Sequence, residues 1–165
     1  MPPRELPPGA SAYFALLEVS ALLHHELEQQ AREDAGITFV QFQILAALSE
    51  HPEGSRTMTD VADQIVHSRS GLTYQAQKLE EAGYLTRGPA PGDERSTMAT
   101  LTPAGREVLA GVLPGHLGVV RELFLDPLAT EDTDELTRVL DLVRTHMRGR
   151  PPRSAARRSR RPETK

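Results

Sequence analysis

Residues 68–85 read SRSGLTYQAQKLEEAGYL, a helix with a defined start and a defined stop. Ser68 is a favourable N-cap, and the glycine of EAGYL ends the helix. Wound at about 100° per residue, the stretch places Leu72, Ala76, Leu79 and Gly83 on one side, with Gln75 at its edge. Ser70, Tyr74 and Gln77 fall opposite, with Thr73 and Lys78 on the flanks. A merely solvated helix face would carry Glu and Lys there. This one carries small hydroxyls, a phenol and an amide, gathered in its N-terminal half.

Reading outward from this helix gives the fold class. Just upstream, TMTDVADQIVH forms a short helix opened by Thr57 or Thr59, with Val61, Ala62 and Ile65 facing inward. Two short helices across a tight connection make a helix-turn-helix, whose second helix enters the major groove of DNA. Downstream, YLTRG and TMATL read as two short strands around the polar stretch PAPGDERS, a β-hairpin with a long polar tip. A helix-turn-helix followed by such a hairpin is a winged helix.

Further out, Ser11 to about Asp34 is a long helix whose wide apolar face includes Phe14, Leu17, Leu22, Leu23 and Leu27. Gly36 stops it, and Thr38 with Gln41 forms a capping box for a second helix with Phe42, Leu45 and Leu48 inside. On the other side, LTPAGREVL opens a helix with Thr102 as N-cap and Pro103 at its first position. Apolar residues continue to Leu123, and Pro114-Gly115 is expected to kink or break the run. FLDPLATED reads as a turn, after which Asp132 with Glu135 opens a last helix carrying Leu136, Val139, Leu140 and Val143. The expected class is mainly α with a small β-wing. Residues 1–10 and 148–165 read as disordered ends, and the winged helix as about 37–102. The helices at about 11–35 and 103–147 carry more apolar surface than so small a domain can cover. They are read as dimerisation helices, which would set two recognition helices about one DNA turn apart.

Composition narrows the class. Hydrophobic residues make up 38% and charged residues 25% of 165, a globular balance rather than a disordered one. The chain has no cysteine, which excludes disulfides, thiolate metal sites and thiol redox sensing. No run of about 18 apolar residues is evident, and the start MPPRELPPGAS lacks the order of a signal peptide. A cytoplasmic protein without a membrane partner is expected. The net charge of −4 hides a division: −6 over 1–54, zero over 55–106, −5 over 107–147 and +7 over 148–165. Two acidic flanks therefore enclose a neutral middle, so charge position says more about nucleic-acid binding than the total.

The order of these pieces resembles the multiple-antibiotic-resistance regulator (MarR) family of bacterial winged-helix transcription factors. TFVQFQILAAL (38–48), LEEAGYLTR (79–87), DERS (93–96) and LTPAGREVL (101–109) carry the resemblance, which extends over about 11–147. It implies a homodimer on a near-palindromic operator, usually a repressor released by a small-molecule effector. It also implies that the helix at 69–82 reads the major groove and that Asp93 and Arg95 match the family's wing Asp-x-Arg. There the arginine reaches the minor groove or backbone, and the aspartate helps to hold it or its neighbours.

The candidate DNA-binding residues are Ser68, Arg69, Ser70, Thr73, Tyr74, Gln77, Lys78, Arg87, Asp93 and Arg95. Glutamine pairs well with adenine, and hydroxyls adapt to several partners. Ser68 is first an N-cap, and Arg69 and Lys78 suit backbone phosphates. Arg87 is also placed to pair with an acid in the hairpin. The plain alternative is a polar solvated face. Tyr13, Phe39, Phe42 and His116 could line an effector pocket, but plain core or interface roles are the preferred reading of all four. The adjacent His24 and His25 lack the i, i+4 spacing of a metal pair. No metal, cofactor or catalytic constellation is expected. The competing function class is a winged helix that binds a protein partner rather than DNA.

Overall fold

The structure is a computed structural model that describes residues 7–65 and 68–149, without the side chains of Arg69 and Glu94. Its elements are α1 (Ala10–Ala35), α2 (Phe39–Ser49), β1 (Ser55–Thr57), α3 (Met58–Gln64), α4 (Arg69–Glu81), β2 (Leu85–Ala90), β3 (Asp93–Leu101), α5 (Pro103–Val120), a π-helical turn (Arg121–Leu125) and α6 (Thr130–Arg148). The chain divides into two compact units between Phe124 and Leu125.

In the first unit each internal helix begins where a side chain satisfies its orphan N–H groups. Thr38 and Gln41 form the capping box of α2. Thr57 caps α3, Ser68 accepts from the Gly71 N–H at 3.3 Å, and Thr102 accepts from the Gly105 N–H at 3.0 Å. Such caps contribute about 1 kcal/mol each. Thr102 works in both directions, since its hydroxyl also donates to the Gly83 carbonyl at 2.7 Å. The end of α4 is thereby tied to the start of α5. The same junction requires Gly105, because a Cβ there would collide with the Tyr84 carbonyl oxygen.

The core lies between α2, α3, α4, the sheet and the first half of α5. Ile44, Leu45, Leu48, Val61, Leu72, Leu79, Leu85 and Val112 are fully buried. Each such side chain contributes roughly 1.5–3 kcal/mol of apolar burial. The inward face of α4 is the expected one: Leu72, Ala76 and Leu79 are buried. Among the described residues the strands form one antiparallel sheet in the order β1-β3-β2. The outer strand β1 pairs Ser55 with Thr100 and Thr57 with Met98.

Several expectations need correction. The tip of the wing is not an open loop: β2 and β3 turn at Pro91-Gly92, with Gly92 at φ 78°, Asp93 pairs with Ala90, and the register shifts before Pro89 pairs with Thr97, so Arg95 lies in the irregular part of β3. Proline followed by a glycine of positive φ suits a tight turn, which brings Asp93 opposite Ala90. Strand β1 adds a third strand to the two that the sequence predicts. α1 starts at Ala10, whose N–H donates to the Pro7 carbonyl, so regular structure begins inside the stretch read as disordered. Residues 1–6 and the tail from 150 lie outside the described residues.

α5 is also not broken at Pro114-Gly115 but runs through to Val120. Gly115 lets α1 come close: a Cβ there would sit 2.5 Å from Asp34 Oδ2 and 2.7 Å from Gln30 Nε2. The Gln30 amide then donates to the Val112 carbonyl at 3.1 Å, bracing the helix beside the proline. By length and composition alone, the run Pro103–Leu125 could cross a membrane, contrary to the expectation of no such segment. Leu109 and Val112 instead belong to the core, and Arg106, Glu107, Arg121 and Glu122 punctuate the run.

Apolar surface remains uncovered on α1 and α5. Tyr13, Phe14, Leu16, Leu17, Val19 and Leu22 of α1 are exposed, as are Leu113 and Leu117 of α5. In the second unit, α6 starts at Thr130, earlier than expected, with Asp132 accepting from the Ala129 N–H at 3.4 Å. It exposes Val139, Leu142, Val143 and Met147.

Candidate nucleic-acid interface

The outer face of α4 follows from its inner one. With Leu72, Ala76 and Leu79 in the core, Ser70, Thr73, Tyr74, Gln77 and Lys78 are held in solvent, and Tyr74 is 58% exposed. Ser68 and Arg69 stand at the helix N-terminus, the end of a helix whose dipole favours anions. The side chain of Arg69 lies outside the described part of the chain.

Three of these residues are joined. The Lys78 ammonium lies 2.8 Å from Glu81 Oε2 and 5.8 Å from the centre of the Tyr74 ring. The Gln77 amide nitrogen donates to Glu81 Oε1 at 3.1 Å. The hydrogen bond from Lys78, followed by that from Gln77, holds the Glu81 carboxyl below its usual range, while Glu81 raises Lys78. Each Glu81 oxygen thus accepts one bond from its own helix. The sequence reading missed it, although the i, i+4 and i, i+3 spacings to Gln77 and Lys78 were there to be read.

Arg87 does not reach an acid in the hairpin. Its Nε and Nη2 donate to Glu80 Oε2 at 3.0 and 2.7 Å, and its backbone N–H donates to Glu80 Oε1 at 2.9 Å. The Arg87 hydrogen bond lowers the Glu80 pKa. Arg87 therefore positions the wing on α4 and is the least available of the candidate contacts.

On the wing, Asp93 Oδ2 accepts from the Ser96 hydroxyl at 2.7 Å and Oδ1 from the Arg95 N–H at 3.0 Å. The Ser96 bond is the larger cause of the lowered Asp93 pKa. This leaves the Arg95 side chain exposed beyond a fixed backbone.

Of the proposed pocket residues, Phe39, Phe42 and His116 come together and Tyr13 does not. His116 lies 4.5 Å from the Phe42 ring centre and 5.9 Å from that of Phe39, and His24 lies 5.2 Å from Phe39. Tyr13 packs edge-on against Phe14 and is exposed. Burial pushes the His116 pKa down, and its buried Nδ1 finds no hydrogen-bond partner among the described residues.

Comparison with known proteins extends this geometry. The MarR family model matches residues 35–96. Sco3205, a MarR family transcriptional regulator from Streptomyces coelicolor solved in complex with DNA, is 31% identical. That match covers 92% of this chain and 94% of Sco3205, with a TM-score of 0.82. AbsC, a MarR family transcriptional regulator from the same organism, is 35% identical over 89% of this chain and 99% of its own, with a TM-score of 0.81. The HTH-type transcriptional regulator MhqR of Bacillus subtilis (strain 168) is 28% identical over 108 residues, 66% of this chain and 72% of MhqR.

Proposed function

The chain belongs to the MarR family of transcriptional regulators, and from that premise we propose that it is a homodimeric, sequence-specific repressor of the cytoplasm that works by binding DNA and not by catalysis. The observation that carries this reading is α4. One face of it is locked into the core by Leu72, Ala76 and Leu79, and the other presents Ser70, Thr73, Tyr74 and Gln77 to solvent. Gln77 and the hydroxyls read base edges in the major groove, while Ser68, Arg69 and Lys78 meet phosphates. Arg95 enters the flanking minor groove from a wing fixed by Asp93 and Arg87.

The winged helix spans about 37–102, and the segments 11–35 and 103–147 dimerise. The uncovered apolar residues of α1 and α5 in the first unit, and those of α6 in the second, each support that assignment, since exposed apolar surface marks an interaction site. A two-fold dimer places two α4 helices on two half-sites of a near-palindromic operator. A small-molecule effector releases the operator by binding the DNA-incompatible spacing of the two lobes more tightly. One with equal affinity for both spacings would shift nothing.

The test is fluorescence anisotropy of the purified protein with the DNA upstream of its own gene, against a scrambled duplex, across a salt series. Binding that survives moderate salt on the first duplex and is lost on the second supports a specific regulator. Equal, weak binding on both that vanishes by moderate salt counts against it.

A further inference from the structure

Glu81 lies one turn beyond Gln77 on α4, and both its oxygens are taken, by the Gln77 amide nitrogen at 3.1 Å and the Lys78 ammonium at 2.8 Å. A carboxylate on a DNA-facing helix would by itself repel phosphates. Here Lys78 neutralises it locally, so what it adds is orientation. A glutamine amide has one acceptor oxygen and two N–H donors. With its nitrogen turned to Glu81, one N–H is used, and the carbonyl oxygen and the second N–H remain for a base. That acceptor–donor pair matches the N6 amino group and N7 of adenine. The flipped amide would set its oxygen against the carboxylate and turn both N–H groups outward, the pattern that O6 and N7 of guanine accept.

We propose that Glu81 is a positioning residue for base selection: by fixing the Gln77 amide, it makes α4 read adenine in preference to guanine at one position of each half-site. The inference rests on the DNA-reading role of α4 proposed above.

The test is selection of bound duplexes from a randomised pool by the full-length protein and its variants. The position whose preference disappears in Gln77→Ala is the one that Gln77 reads. There the wild type is expected to select adenine. Glu81→Ala is expected to lower the adenine-over-guanine ratio about tenfold at that position alone, the scale of one bidentate contact. Glu81→Lys is expected to turn the preference to guanine, because a lysine donor attracts the amide oxygen. A site equally selective for adenine in Glu81→Ala, or a loss spread evenly over all positions, overturns the proposal while leaving the regulator intact. A pool from which the wild type enriches no motif overturns both.

Discussion

Arg87 and Glu80 join the first strand of the wing to the last turn of α4 through three hydrogen bonds of 2.7 to 3.0 Å. The pair is half-buried, with the Arg87 side chain 21% and the Glu80 side chain 37% exposed. The charge-assisted bonds would stabilise strongly in a dry site, and solvent screening reduces that here. Glu80→Ala is expected to lower unfolding stability by about 1 kcal/mol, read from the urea midpoint. The pH dependence has a definite sign. Arg87 holds the Glu80 carboxyl below its ordinary value of 4.5, so the contribution is fully present above that value. It is lost as pH falls through the lower, folded-state pKa. The difference between wild type and Glu80→Ala should therefore be constant near neutrality and shrink in acid. A difference that stays constant down to acid unfolding would assign the effect to packing.

Gly105 and Gly115 give a graded test of how closely α5 is approached. A Cβ on Gly105 meets backbone, the Tyr84 carbonyl, which Thr102 also engages through its N–H. A Cβ on Gly115 meets only the ends of the Asp34 and Gln30 side chains, which can swing away. Gly105→Ala should destabilise by about 3 kcal/mol and Gly115→Ala by about 1 kcal/mol, measured by thermal unfolding. The order matters more than the values. Equal losses would mean that the junction of Tyr84 with α5 yields as easily as the ends of two flexible side chains.

The parts of this fold that sequence reveals are those decided within a few residues. Thr38, Thr57, Ser68 and Thr102 each cap a helix because the group they satisfy lies three residues away in the same chain. The inner face of α4 is legible because Leu72, Ala76 and Leu79 repeat at the helical period. Strand β1 is not legible: three residues carry no period, and their strand exists only because Thr100 and Met98 lie opposite. The polar run PAPGDERS reads as a loop by composition, yet a Pro-Gly turn closes it by pairing Ala90 with Asp93, with the register shifting between Pro89 and Ala90. Pro114 signals a kink or break, yet α5 runs on to Val120, with Gln30 and Asp34, far away in sequence, packed beside Gly115. In the candidate site the residue types were readable, whereas the engagement of Arg87 by Glu80 and of Gln77 by Glu81 depends on side-chain geometry.

His116 should make the fold acid-sensitive above the carboxylate range. Its ring packs on Phe42 at 4.5 Å, and burial lowers its pKa from the ordinary 6.5. Between that value and the lower, folded-state pKa, the unfolded chain binds the extra proton, so stability falls as pH drops through this window. His116→Phe keeps a ring against Phe39 and Phe42 and removes the titration. The variant's urea midpoint should then fall less than that of the wild type between pH 7 and about pH 5. Parallel curves for the two proteins would show that the ring is protonated without loss of packing.

The wing offers a test of whether an acid can assist DNA binding. Asp93 accepts from the Arg95 N–H at 3.0 Å and from the Ser96 hydroxyl at 2.7 Å, so it fixes the backbone from which Arg95 projects. Removing a carboxylate near phosphates would by simple electrostatics raise affinity. If Asp93 aims Arg95, the opposite holds. Asp93→Ala should weaken operator binding, and Arg95→Ala should weaken it more and reduce the slope of log affinity against log salt by about one. The double variant should bind about as Arg95→Ala does, because Asp93 has nothing left to aim. Tighter binding by Asp93→Ala, or losses that simply add, would leave Asp93 as a residue that shapes the strand and Arg95 as an independent contact.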